Sequence, residues 1–150
     1  MPATGQITGI ETVMSGLNKK LIEYQTRGTS GLRSAVAFIR RDMEMTPPRI
    51  PVDTGNLRSS WFVETVEYKR NRQTIFFGFN ANYAAFVHEN IGADFTSPRV
   101  RYGPGKGRKR IYTPRPGAGP KFLEAALKRN TYKILLIIRK KMTSSGELIR

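Results

Sequence analysis

The sequence predicts an α+β fold: a long N-terminal helix or helix pair, a small antiparallel β-sheet built on a hairpin, a long basic loop, and a C-terminal helix packed on the sheet. Three observations carry this. Apolar residues recur at helical spacing near both ends of the chain. Two β-prone runs in the middle flank a short polar stretch. Residues 91–118 are rich in Gly, Pro and basic side chains and show neither period.

Ile10, Met14, Leu17, Leu21 and Tyr24 lie four, three, four and three residues apart, the stripe of an amphipathic helix. Leu32, Ala35, Val36, Ile39 and Met43 repeat it in phase. Between them stands Gly28-Thr29-Ser30-Gly31, where Thr29 or Ser30 is suited to cap a second helix. A short break there is therefore expected in preference to one continuous helix. Thr46-Pro47-Pro48 ends the helical stretch, since proline restricts its predecessor and lacks the N–H that the ladder needs.

Trp61–Tyr68 and Thr74–Phe79 read as the arms of a hairpin closed by residues 69–73, with Ile75, Phe77 and Phe79 alternating onto the core face. Tyr83–Glu89 reads as a short helix. A second hairpin is hidden in the basic loop if Val100-Arg101-Tyr102 and Arg110-Ile111-Tyr112 are its arms. Gly119-Pro120 opens the last helix, with proline at the first helical position. Its stripe is Leu123, Ala126, Leu127, Asn130, Ile134, Ile137 and Ile138. Ile134-Leu135-Leu136-Ile137-Ile138 is apolar all round, so one side packs on the domain and the other is buried or meets a partner subunit. Leu135, Leu136 and Ile138 are the candidate interface residues.

At 150 residues, with 39% apolar and 10% aromatic side chains, the chain suits a single domain with one hydrophobic core, not a disordered or fibrous protein. The absence of any run of 18 apolar residues gives no membrane span, and the first residues do not have the pattern of a signal peptide. Zero cysteines exclude disulfides and thiolate chemistry, and fit assembly in reducing cytoplasm. The net charge of +15 is unevenly placed. Residues 1–95 carry 11 Lys/Arg against 9 Asp/Glu, whereas residues 96–150 carry 15 against 2. That concentration calls for an anionic neighbour, either nucleic acid, an acidic protein surface or anionic lipid.

Asp53-Thr54-Gly55 has the letters of an aspartic-protease triplet, but Asn56-Leu57-Arg58 follows on the way into a helical stretch. Asp53 or Thr54 as the cap of a short helix, with Gly55 or Asn56 shaping the turn, is the better reading. His88 is the only histidine and has too few companions for a metal site. Ser59 or Ser60 with His88 and Asp94 supplies the residue types of a hydrolytic triad without its local context. Gly103–Arg110 lacks the spacing of a nucleotide-binding loop. No catalytic residue, metal or cofactor is therefore expected. What remains is a basic loop in which Arg99, Arg101, Lys106, Arg108, Lys109, Arg110 and Arg115 are suited to touch phosphates or an acidic partner, flanked by Tyr102 and Tyr112.

Three blocks stand in order: Pro51-Val52-Asp53-Thr54-Gly55-Asn56-Leu57-Arg58-Ser59-Ser60, Asn82-Tyr83-Ala84-Ala85-Phe86-Val87-His88-Glu89, and Gly119-Pro120-Lys121-Phe122-Leu123-Glu124-Ala125-Ala126-Leu127. Together they resemble the tail-completion, or neck, protein family of long-tailed bacteriophages over about residues 30–140. The segment between the second and third blocks is longer and more basic than the family's pattern. The resemblance implies a non-enzymatic virion subunit, assembled in the host cytoplasm, that forms a homo-oligomeric ring joining the tail to the head connector. Sixfold symmetry is the expectation and twelvefold the alternative. The implied partners are a connector or head-completion ring, a tail terminator or tail tube, and genomic DNA in the lumen. In this light Asp53, Thr54 and Gly55 fix a turn between the helix and the sheet, Leu57 and Trp61 anchor it in the core, and Arg58 belongs to the same structural block. Tyr83, Phe86 and Val87 pack a short helix on the hairpin, and Pro120, Phe122 and Leu123 seat the last helix. The competing reading, from charge and interleaved tyrosines, is a free-standing nucleic-acid-binding protein.

Overall fold

The computed structural model describes residues 9–69, 72–95, 97–102 and 109–143. Its elements run α1 (Ile10–Met45), α2 (Asn56–Ser59), β1 (Trp61–Lys69), β2 (Arg72–Phe79), α3 (Ala84–Glu89), β3 (Arg99–Tyr102), β4 (Lys109–Tyr112) and α4 (Phe122–Thr143). The α+β class and the order of elements agree with the sequence pattern. Each pair of strands forms its own two-stranded antiparallel sheet, so the hairpin hidden in the basic segment is real.

Helix α1 is continuous for 36 residues, roughly 54 Å, and the break expected at Gly28–Gly31 is absent. Both glycines are buried because other parts of the chain approach their backbone closely. A Cβ at Gly28 would collide with the Gln73 side-chain amide, and one at Gly31 would lie 3.2 Å from Ile138 Cα. Thr29 and Ser30 do not cap a second helix. The Thr29 hydroxyl donates to the Gln25 carbonyl at 3.0 Å, and the Ser30 carbonyl accepts from the Ser34 hydroxyl at 2.9 Å. The glycines are there for contact, not for a turn.

The helix ends where the prolines require. Thr46 leaves the helical conformation while its N–H still donates to the Asp42 carbonyl at 2.8 Å. The chain doubles back so that the Ile50 N–H reaches the Met43 carbonyl at 3.2 Å, and Ile50 becomes fully buried. Helix α4 lies antiparallel along α1, with Phe122 and Ala126 beside Ile39 and Met43, and Ile138 beside Gly31. Arg129 locks the pair: its guanidinium donates to Asp42 at 2.7 Å and to the Pro47 and Thr46 carbonyls at 2.8 and 3.2 Å.

The principal partner of α4 is thus α1, and it reaches the first sheet through Phe122. There Trp61, Phe77, Phe79 and Phe122 form a chain of tilted and edge-on rings, with centroids 5.2–5.6 Å apart. Phe77 and Phe79 pack on the core as their alternation predicts, while Thr74 and Phe76 point outward. Strand pairing continues to Tyr68↔Gln73 and Lys69↔Arg72, so the turn is tighter than the five polar residues suggested. One register shift between Glu64 and Glu67 marks a bulge in β1. Gln73 then anchors the hairpin on α1, its amide donating to the Gln25 carbonyl at 2.8 Å.

The last helix begins at Phe122, two residues after Pro120, which is therefore not its first helical residue. Lys121 adopts a left-handed φ of 55°. Its N–H donates to the His88 carbonyl and its own carbonyl accepts from Ala125, both at 2.8 Å. The turn is set by the α3–α4 junction, which sequence spacing does not show.

These contacts make a paired prediction. Gly31→Leu should cost about 1–3 kcal/mol by forcing α4 off α1. Gly16→Leu, which has open space around it, should stay within about 0.5 kcal/mol of the parent. Urea denaturation of the two variants checks this.

Candidate functional site

Glu44, the second-to-last residue of α1, gathers three arginines, Arg40 one turn back on the same helix and Arg58 and Arg115 from outside it. Arg58 Nε donates to its Oε1 at 2.8 Å, Arg40 lies 3.2 Å from the same oxygen, and Arg115 binds Oε2. Arg115 also donates to the Glu44 main-chain carbonyl. The carboxylate is largely covered, at 13% side-chain exposure. Burial alone would raise its pKa. Hydrogen bonds from Arg115 and Arg58, with the nearby Arg40 charge, outweigh that and hold it below the usual carboxylate range. Arg40 extends the cluster into the aromatic layer, its guanidinium 5.3 Å from the Trp61 ring centroid.

Arg115 also lines a groove of about 410 Å³. One wall is Pro51–Leu57, another is Tyr83 and Val87, and the third comes from the basic segment through Phe95, Pro114 and Arg115. The turn that starts α2 explains the Asp-Thr-Gly letters. Gly55 is the residue before the helix, at a φ of 84° that side-chain-bearing residues rarely adopt. Gly55 itself occupies the cap position, where Asp53 or Thr54 was expected. Thr54 Oγ1 instead accepts from the Asn56 N–H at 3.4 Å. Leu57 is buried in the core.

The second block is only partly as expected. Tyr83 and Val87, one helical turn apart, pack on the core with Ala84. Phe86 does not: it is 69% exposed, because its position falls on the other side of a one-and-a-half-turn helix. His88 sits at the α4 junction, where its ring meets the edge of Phe122 at 5.0 Å. Its Nδ1 lies 2.8 Å from Glu89, and its Nε2 takes a long 3.5 Å bond from the Glu124 N–H. Lys121 joins Glu89 and Glu124 across the same junction. Its hydrogen bond, then that of His88, holds Glu89 below the usual carboxylate range. The Ser59 and Ser60 hydroxyls donate into their own helix, to the Asn56 and Leu57 carbonyls at 3.0 and 2.8 Å, and do not address His88. Among the described residues no three of His, Cys, Asp and Glu converge as metal ligands, and no helix is long and apolar enough to cross a membrane.

Of the seven basic candidates, Arg115 is turned inward onto Glu44 and ties the basic segment to α1. Arg99, Arg101, Lys109 and Arg110 lie on β3 and β4, with Arg101 the register partner of Arg110. Their side chains, with all of Lys106 and Arg108, lie outside the described residues. Phe122 is fully buried, Leu123 packs on the core, and Pro120 is half-buried at the turn. Leu135 and Leu136 are exposed, whereas Ile138 is half-buried where α4 passes Gly31.

Two motif blocks and the basic segment therefore form one groove, and the acid–base side chains around it are engaged in holding the fold. Residues 23–89 match the protein-family model described as "Bacteriophage HK97-gp10, putative tail-component". This is the family that the motif blocks resemble. The matched span runs from the middle of α1 to the end of α3 and holds the first two blocks, while the third lies beyond it. No curated protein and no solved structure matches the chain. The family supports a structural role in a phage virion, in contact with other tail or neck proteins.

A depressed carboxylate pKa contributes stability above its unfolded value, about 4.3, and that contribution is lost as pH falls through the folded value. Glu44→Gln should therefore cost about 2 kcal/mol near neutral pH. The gap to the parent should narrow as pH drops below about 4. Denaturation at pH 7, 5 and 3 measures it.

Proposed function

We propose that the chain is one copy of a homo-oligomeric ring at the phage neck, joining the tail to the head connector around the DNA path. The observation that carries this reading is the tail-component match over residues 23–89, the same residues that build two walls of the groove. A groove whose polar side chains are engaged in holding the fold suits protein docking. Sixfold symmetry is favoured, and twelvefold is the alternative on the portal side. A connector or head-completion ring would lie on one side and a tail terminator or tail tube on the other.

The basic segment has a defined place in this reading. Arg99, Arg101, Lys106, Arg108, Lys109 and Arg110 face either the DNA in the lumen or an acidic neighbouring ring. Arg115 is excepted, since Glu44 already engages it. The charge concentration also fits a free-standing DNA-binding protein, and the two readings part experimentally. A free-standing binder holds short duplex DNA tightly as a monomer or dimer, with affinity falling steeply as salt rises.

Phage lacking this chain should accumulate filled heads and finished tails that do not join, seen by electron microscopy. Complete, infectious particles made without it would refute the neck role. Neutralising Arg108, Lys109 and Arg110 together should lower infectious titre at least tenfold while leaving the folded chain's melting temperature unchanged. An unchanged titre removes the basic segment from the mechanism.

A further inference from the structure

Among the described residues, helix α1 is covered for only half its length. Among them the hairpin and α4 reach back no further than Gln25, Gly28 and Gly31. Beyond them Ile10, Met14, Leu17 and Leu21 are 50–60% exposed, and Val13 and Tyr24 are exposed beside them. At 3.6 residues per turn, these residues fall within about 60° of the line through Gly28, Ala35 and Ile39. The face that α4 buries in the second half of α1 thus continues without a partner through the first half. A helix is what such a stripe fits, as α4 demonstrates on the covered half.

The same chain carries a second uncovered face. On α4, Tyr132, Leu135 and Leu136 are 43–72% exposed and lie on the side opposite the Ala126–Asn130–Ile134 face that packs on α1. This face cannot meet the arm of its own chain, because α1 is one unbroken helix that runs past the end of α4 on its other side. The lengths correspond: residues 10–24 span about 22 Å and residues 132–142 about 16 Å. The charges are compatible too. Residues 10–24 carry two acids and two bases, whereas residues 132–142 carry four bases and no acid. Pairing α4 with α4 would oppose four positive charges to four. Pairing arm with arm would leave α4 bare and close as a dimer.

We infer that residues 10–24 of α1 form an arm that docks on the outer face of α4 in a second copy of this chain. The inference deepens the ring reading and rests on it. The contact is heterologous, so each copy gives an arm and receives one, which is what a closed ring requires.

Light scattering on the full chain tests it with Leu17→Glu/Leu21→Glu in the arm and Leu135→Glu/Leu136→Glu on α4. Both variants should be monomeric, with self-association weakened on the order of a hundredfold, and should melt cooperatively at the temperature of the parent diluted to its monomer. Mixed together they should form one-to-one pairs, because each retains the face the other has lost. The chain has no cysteine. Leu21→Cys mixed with Leu135→Cys should therefore give an oxidised heterodimer in large excess over the homodimer that either variant forms alone. An α4 variant that still assembles overturns the proposal in favour of arm–arm pairing and leaves the ring reading standing. A parent chain that stays monomeric at every concentration also overturns it, and the ring reading is then judged by the virion experiment alone.

Discussion

The fold depends on the burial of one face of α1, over residues 28–43, against α4. Everything else is arranged around that seam. Gly28 and Gly31 let the hairpin and α4 approach the helix backbone. Met43, Ile50, Phe122 and Ala126 fill the end where the prolines turn the chain. Arg129 ties α4 to the carbonyls just past the end of α1. Side-chain packing on one stripe is the main source of helix stability in proteins, and a 36-residue helix offers more stripe than one 22-residue partner covers. The uncovered remainder is a consequence of that mismatch.

The Glu44 cluster adds the second constraint. Three arginines, two from outside α1, converge on a carboxylate near the end of that helix. Taking one carboxylate out of water is unfavourable unless several donors replace the lost hydration. Here the motif turn supplies Arg58 and the basic segment supplies Arg115. The cluster therefore fixes two walls of the groove relative to α1. Its worth lies in register, beside the Arg49–Ala118 bridge that joins the basic segment to the turn after α1 and the burial of Leu57 next to Met43.

Much of this was legible in the sequence, because helical and strand periodicities are local. The α1 stripe, both hairpins, the face of Phe77 and Phe79, and the seam of α4 follow from residue spacing alone. What was not legible depended on partners far along the chain. Gly28 and Gly31 read as a break because a glycine that admits a neighbour and one that ends a helix have the same letter. Phe86 read as core because its block looks uniformly apolar, while a short helix has only one inner side. Arg115 read as part of a free basic patch, since nothing nearby points to Glu44 at a separation of 71 residues. The role of His88 at the α4 junction was hidden in the same way.

Hydrogen exchange across α1 tests most directly the proposed division of the helix into a covered half and a half that docks on a second copy. At low concentration, amides of residues 28–43 should exchange only with global unfolding, while those of residues 10–24 exchange orders of magnitude faster. On assembly the second set should slow towards the first. Protection of residues 10–24 already present in the dilute monomer, or absent from the assembled form, would contradict it.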